Sequence, residues 1–288
     1  MSSIRIDNDE EFVVRGLKSV AQREFCSSWS LKSINLPETI ETIGEAAFSR
    51  CYYLKRINSD VDGVVIFPSR IRAISDSCFS DCRSIATVKL PEDLSYIGSW
   101  AFSGCFCLAS ISFPSKLETI GAMAFSGCSS LKEINIPASV KTIGEAAFYG
   151  CKNIETINVN PSNEHYFAID NVLYNTRQEL LKCAEKNPVK NIVIPEGITK
   201  IKSSAFVGCK TIETVVLPKS LKTIGAKAFY GCKSLSSVIF SDGLKNIGED
   251  AFCHCPSLKK IILPAGLKEN YSACYQAVDF TQIEFKEE

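Results

Sequence analysis

Cys253-His254-Cys255 sets two thiols and an imidazole on consecutive residues, the donor types that hold zinc. Cysteines recur through the chain at the position of Cys255, which faces inward, while His254 belongs to the preceding turn. Ligands on opposite sides of a turn do not close a tetrahedron, so no metal is expected there. Asp60-Val-Asp62-Gly63 carries two carboxylates before a glycine, as calcium loops do, but lacks the rest of such a loop's ligand set and its closing glutamate. A solvated turn is the expectation. Nucleophilic catalysis needs a base beside a nucleophile, and the histidines are His165 and His254. His165 is flanked by Glu164 and Tyr166, yet neighbours in sequence point apart and no nucleophile motif accompanies them. Glycine-rich phosphate loops and the Gly-x-Ser-x-Gly element are also absent. The chain is therefore not expected to be an enzyme or to carry a cofactor.

What holds these residues is repetitive. The segment Leu-x-x-Ile-Gly-x-x-Ala-Phe-x-Gly-Cys-x-x-Leu-x-x-Ile-x-Leu-Pro recurs about nine times, mostly at a period of 23 residues. A period between about 20 and 29 with regularly placed aliphatic residues marks a leucine-rich-repeat array, in which each coil buries its apolar face against its neighbours. The expected fold is a repeat solenoid of the α/β kind: a right-handed leucine-rich-repeat coil with a parallel β-sheet and short helices. Phe25, Phe48, Phe79, Phe102, Phe125, Phe148, Phe206, Phe229 and Phe252, with Tyr275 one period on, give the register and should stack as an internal spine. Three residues after each comes a small one, Ser28 and then Cys51, Cys82, Cys105, Cys128, Cys151, Cys209, Cys232 and Cys255. These thiols should fill space in the core and remain reduced. The other cysteines, Cys26, Cys78, Cys107, Cys183, Cys253 and Cys274, share no spacing.

Each coil reads as a one-turn helix around Ala-Phe, closed by a left-handed glycine such as Gly104, then a strand such as Leu131 to Ile136 ended by Pro137. A second extended piece leads to Ile-Gly, where glycine suits a sharp turn. Two coils are longer. Eight additional residues lie between Phe48 and Phe79, and one coil is lengthened to 35 residues, about 159–194. In it Tyr166 to Tyr174 has apolar arms around Asp170-Asn171, a hairpin or widened coil expected to protrude. Residues 1–16, with Phe12, Val13 and Val14, are expected to cap one end. Residues 267–288, which keep Tyr275, Val278, Ile283 and Phe285, should cap the other. The whole is read as one domain of nine to ten coils.

These residues resemble the BspA-like leucine-rich-repeat family over nearly the whole chain, from about Leu17 to Leu263. Phe-x-Gly-Cys joined to Leu-x-x-Ile-x-Leu-Pro carries the likeness, and the long coil with Asn160-Pro161 and Ile169 to Tyr174 is similar to an extended repeat of that family. The resemblance implies an adhesin-like surface antigen that binds host or matrix proteins. Composition bears on the same question. The formal net charge is zero, with 32 basic and 32 acidic residues spread along the chain, so nucleic acid is not an expected partner. No stretch approaches the roughly 18 apolar residues of a membrane span, and the start Met-Ser-Ser-Ile-Arg lacks the apolar centre of a signal peptide. Read as a complete chain, it is expected in the cytoplasm as a scaffold or adaptor, whereas the resemblance implies the cell surface.

The outward column of the strand sheet separates the two halves of the chain. Its early entries are Asn35, then Asn58 or Ile66 according to the direction of counting, then Lys89, Ser112, Asn135 and Asn158. The later ones are Val193, Val216, Ile239 and Ile262. An apolar stripe on a solvent-facing sheet marks a protein contact. Val193, Val216, Ile239 and Ile262 are therefore the expected binding residues, for another protein or for a second copy of the chain.

Overall fold

The alternation in Leu-x-x-Ile-x-Leu does what its period of two demands. In the computed structural model, which describes residues 11–13, 17–270 and 282–286, each such segment is a short strand with its aliphatic residues turned inward. Val14, Cys274, Tyr275 and Val278 lie outside the described residues. The chain forms two compact units, Met1–Lys152 with Asn160–Asn163, and Asn153–Val159 with Glu164–Glu288. Each is a parallel β-solenoid.

In the first unit Glu11–Val13, Ser33–Asn35, Arg56–Ile57, Val64–Ile66, Thr87–Lys89 and Ser110–Ser112 bond in that order, all parallel. A second sheet joins Ala73–Ile74, Tyr96–Ile97, Thr119–Ile120 and Thr142–Ile143. The residues inserted after Phe48 add a strand to the first sheet alone. After Ile57 the chain loops through residues 58–63 and returns as Val64–Ile66 beside the strand it has left. In the second unit Asn191–Val193, Thr214–Val216 and Ser237–Ile239 form the first sheet, and Lys260–Leu263 pairs with Gln282–Phe285. Between strands and spine, the phenylalanine rings stack at 5.2 to 5.6 Å from Phe25 to Phe148. The rings from Phe206 to Phe252 stack at 4.6 and 5.1 Å.

The third side of the coil differs from expectation. The one-turn helix around Ala-Phe is absent, and the described residues contain no α-helix. Two left-handed residues flank each phenylalanine, for example Ala46 and Arg50 about Phe48, with φ of 52 and 60°. Alternating handedness turns every second peptide along the stack. The N–H groups of Ala46, Phe48 and Arg50 donate to Asp76 O, Cys78 O and Ser80 O of the next coil at 2.9, 2.9 and 2.7 Å. Those of Ala47 and Ser49 fold back onto Gly44 O and Ala46 O. Bonds that a helix would keep local thus form a third ladder between coils. Glycine occupies the later left-handed site at Gly104, Gly127, Gly150, Gly208 and Gly231, while Ser27, Arg50, Asp81 and His254 adopt it with a side chain.

The glycine of Ile-Gly has another reason. Its φ is not left-handed, but a Cβ on Gly225 would sit 2.5 Å from Ser203 N in the preceding coil. The coils at Ser75 and Lys202 lack this glycine, and they follow the inserted loop and the long coil. Ser75 Oγ there donates to Ile43 O at 2.5 Å.

The cysteine column is more than filler. The thiols of Cys51, Cys82, Cys105, Cys128, Cys151, Cys232 and Cys255 each donate to the phenylalanine carbonyl of the coil before, at 3.0 to 3.1 Å. Cysteine is small and apolar enough for the core yet supplies a weak donor. Burial pushes the Cys51 thiol up to about 12 and raises Cys82 and Cys128 likewise, so the reactive thiolate is suppressed.

The long coil does not protrude. Tyr166–Ile169, Val172–Asn175 and Glu179–Cys183 make an antiparallel meander, turning at left-handed Asp170 and Asn171 and again at Gln178. The last strand bonds in parallel to Lys200–Ile201. Val172–Asn175 is buried throughout, and Phe167 stacks on Tyr174 at 5.1 Å. A polar cluster closes the coil where the turn ladder is missing. Lys182 Nζ lies 2.5 Å from a Glu185 oxygen, both side chains buried. Fully buried Asn187 donates to Asp170 O and accepts from Asn171. Burial lifts the Glu185 pKa despite the opposing pull of Lys182.

Two outcomes are expected on thermal unfolding followed by circular dichroism. Gly225→Ala should lower the midpoint sharply because backbone must move, whereas Lys202→Ala at the same repeat position should stay within about 0.5 kcal/mol of the parent. Glu185→Ala should cost about 3–5 kcal/mol by stranding a buried ammonium. Combining Lys182→Met with Glu185→Leu should recover most of that loss.

Candidate functional site

The second unit exposes its outward column. Val193 and Val216 are paired neighbours, as are Val216 and Ile239. Ile262 continues the series on Lys260–Leu263. Val193, Ile239 and Ile262 are 59%, 52% and 45% exposed, and Val216 is half-buried. The residues on either side, Ile192 and Ile194, Val215 and Leu217, Ile261 and Leu263, are buried, as is Phe240, while Val238 is partly buried. The strands are thus fixed chiefly by their inner faces. Asn191, Thr214 and Ser237 flank it one step back along the strands. The column ends where Glu284, paired across from Ile262, binds Lys260 at 2.6 Å. Beside it, three residues before Val193 and Val216 in the sequence, Lys190 binds Glu213 at 2.7 Å.

In the first unit the same column is polar at Asn35, Lys89, Ser112 and Asn135, but its second entry is corrected by the fold. Asn58 leaves the strand at a φ of 50° and its Oδ1 accepts from Leu36 N at 2.7 Å. Ile66 stands opposite Lys89 instead, half-buried.

The other candidate chemistries come apart. Cys255 donates inward to Phe229 O, Cys253 donates to Asp250 at 3.4 Å, and exposed His254 meets the Tyr230 ring edge-on at 4.8 Å. No group of three histidine, cysteine, aspartate or glutamate side chains converges as a metal site would among the described residues. Asp62 lies 3.4 Å from Lys55 and 3.8 Å from Arg56, so its carboxylate already faces cations. His165 and Glu164 are exposed while Tyr166 is turned into the core. No helix among the described residues is long and apolar enough to cross a membrane.

Sequence reading passed over a surface of the first unit in the turn after the cysteine. The Arg83 guanidinium lies 4.5 Å from the centre of the Tyr52 ring and 5.4 Å from that of Phe106. Trp29 and Tyr53 are also exposed. Stepping four residues from each phenylalanine would have found Trp29, Tyr52, Arg83 and Phe106 as one column.

Comparison with known proteins adds to this geometry. The family model for the BspA type leucine-rich repeat region matches residues 12–62, 63–176 and 182–288. A leucine-rich cell surface protein of Faecalibacterium prausnitzii is similar over 98% of this chain and 89% of its own, with 26% identity and a TM-score of 0.75. The pneumococcal vaccine antigen PcpA shares the fold over 97% of this chain and 90% of its own, with 18% identity and a TM-score of 0.76. A leucine-rich-repeat protein of Eubacterium ventriosum does so over 98% and 92%, with 19% identity and a TM-score of 0.65. No curated protein sequence matches the chain.

Proposed function

Because this chain belongs to the family of BspA type leucine-rich repeats, we propose that it is a non-catalytic protein-binding repeat protein, an adhesin-like antigen that meets its partner through Val193, Val216, Ile239 and Ile262. The observation that carries this reading is one aliphatic column in which Val193, Ile239 and Ile262 are exposed and Val216 is half-buried. Water around such a column is released on contact, at roughly 25 cal/mol for each Å² covered. The frame beneath is independent of the face, so the face varies freely in side chain, which is how solenoids serve as binding surfaces. Placement at the cell surface is supported by the Faecalibacterium protein, which bears that description at 26% identity.

The test uses the full chain against immobilised extracellular-matrix preparations. Val216→Ser combined with Ile239→Ser should leave the melting midpoint nearly unchanged and weaken binding at least about tenfold, the loss expected when central apolar contacts are truncated. Unaltered affinity, or a collapsed fold, would sink the reading. Protease shaving of intact source cells tests placement. Peptides released without a cytosolic lysis control favour the surface antigen, and full protection until lysis redirects the search to an internal scaffold.

A further inference from the structure

We infer that Cys183 and Cys209 form a disulfide, which ties the last strand of the long coil to the coil that follows it. The bond needs an oxidising setting and so rests on the proposed placement at the cell surface. The structure holds both residues as buried free thiols, and three observations set them apart from the rest of the column.

The first is position. Cys183 N donates to Ala205 O at 2.7 Å, as Phe206 N does to Ala228 O one coil later, so Cys183 stands in the phenylalanine spine itself. A thiol replaces the ring there, and the Cys183 and Cys209 side chains lie against one another. The second is the hydrogen bond at stake. Oxidation strips a thiol of its proton, and for seven other cysteines of the column that would break a bond of 3.0 to 3.1 Å to a phenylalanine carbonyl. Cys209 instead shares Ala184 O with Cys183, each at 3.5 Å. Joining these two gives up only a pair of long contacts. The third is a donor. Fully buried Asn187 directs its Nδ2 at Cys183 Sγ from 3.5 Å, and a sulfur that has lost its proton still accepts that bond.

Burial holds the Cys209 thiol well above its ordinary range, so the exchange belongs to the stage before the meander closes over it. The oxidant is a disulfide, either oxidised glutathione or the active pair of an exchange protein. One thiolate attacks it to give a mixed disulfide, and the second displaces the carrier as the Cys183–Cys209 bond forms. The two electrons and both protons leave with the carrier as two thiols. Closure of the coil then keeps reductants from the finished bond.

The full chain is produced in an oxidising bacterial periplasm and in a reducing cytosol, alkylated under denaturing conditions, and digested with trypsin without reduction. Periplasmic protein should yield the peptide Cys183–Lys186 joined to Ser203–Lys210, lighter than their sum by the two hydrogens lost, and cytosolic protein the same two peptides separately alkylated. Reductant should lower the melting midpoint of the periplasmic parent by roughly 5 °C and leave that of a Cys209→Ser variant unchanged. Mass spectrometry of the periplasmic digest decides against the inference if both cysteines are alkylated, if either carries glutathione or another partner, or if Cys232 is joined to Cys255 instead. The periplasm supplies the oxidant whatever the native compartment, so failure here is a failure of the geometry, whereas failure of the shaving experiment is a failure of the placement.

Discussion

One distance governs this protein, the spacing at which a backbone hydrogen-bonds to the backbone of the next coil. Parallel strands fix it on two sides of each coil, and the ladder of Ala46, Phe48 and Arg50 onto the coil at Phe79 fixes it on the third. Everything inside must fit that step. Flat phenylalanine rings do, stacking at 5.2 to 5.6 Å in the first unit. The thiols reach one coil back, and a Cβ at Gly225 has no room. Left-handed residues with side chains cost roughly 1–2 kcal/mol each, and the bonds they direct between coils offset that cost only while the array stays in register.

How far the sequence reveals this depends on the range of the interaction. The phenylalanine and cysteine columns are legible because a repeat brings residues 23 apart into contact, and the parallel sheets follow from them. The side around Ala-Phe is harder to read, since small and aromatic residues at that density suit a helical turn as well as a flat ladder. Nothing local announces left-handed Ala46 or Trp100; the bonds to the following coil impose it. The long coil was legible as a hairpin at Asp170-Asn171 but not in its placement, because burial of Tyr174 depends on the strand Glu179–Cys183 joining the next coil's sheet. The Lys182–Glu185 pair was invisible for the same reason, its charges looking like any exposed pair until the meander folds over them.

The candidate surface is legible in identity and only partly in geometry. Counting in steps of 23 finds Val193, Val216, Ile239 and Ile262, and the structure supplies their exposure and boundaries. It also decides between Asn58 and Ile66, which counting could not, since an inserted strand admits both counts. Inner and outer faces answer to separate demands here, since Ile192, Val215 and Ile261 are buried while Val193, Ile239 and Ile262 face solvent.

The turn ladder has an electrical consequence. Along a parallel strand successive peptides point in opposite directions and their dipoles largely cancel. In the ladder, the peptides ending at Ala46, Phe48 and Arg50 all direct N–H toward the following coil and C=O toward the preceding one. Coil upon coil they add, as peptide dipoles add along a helix. Each unit is therefore polarised along its stack, positive toward its later coils, by charge that no titration removes and that a formal net charge of zero conceals.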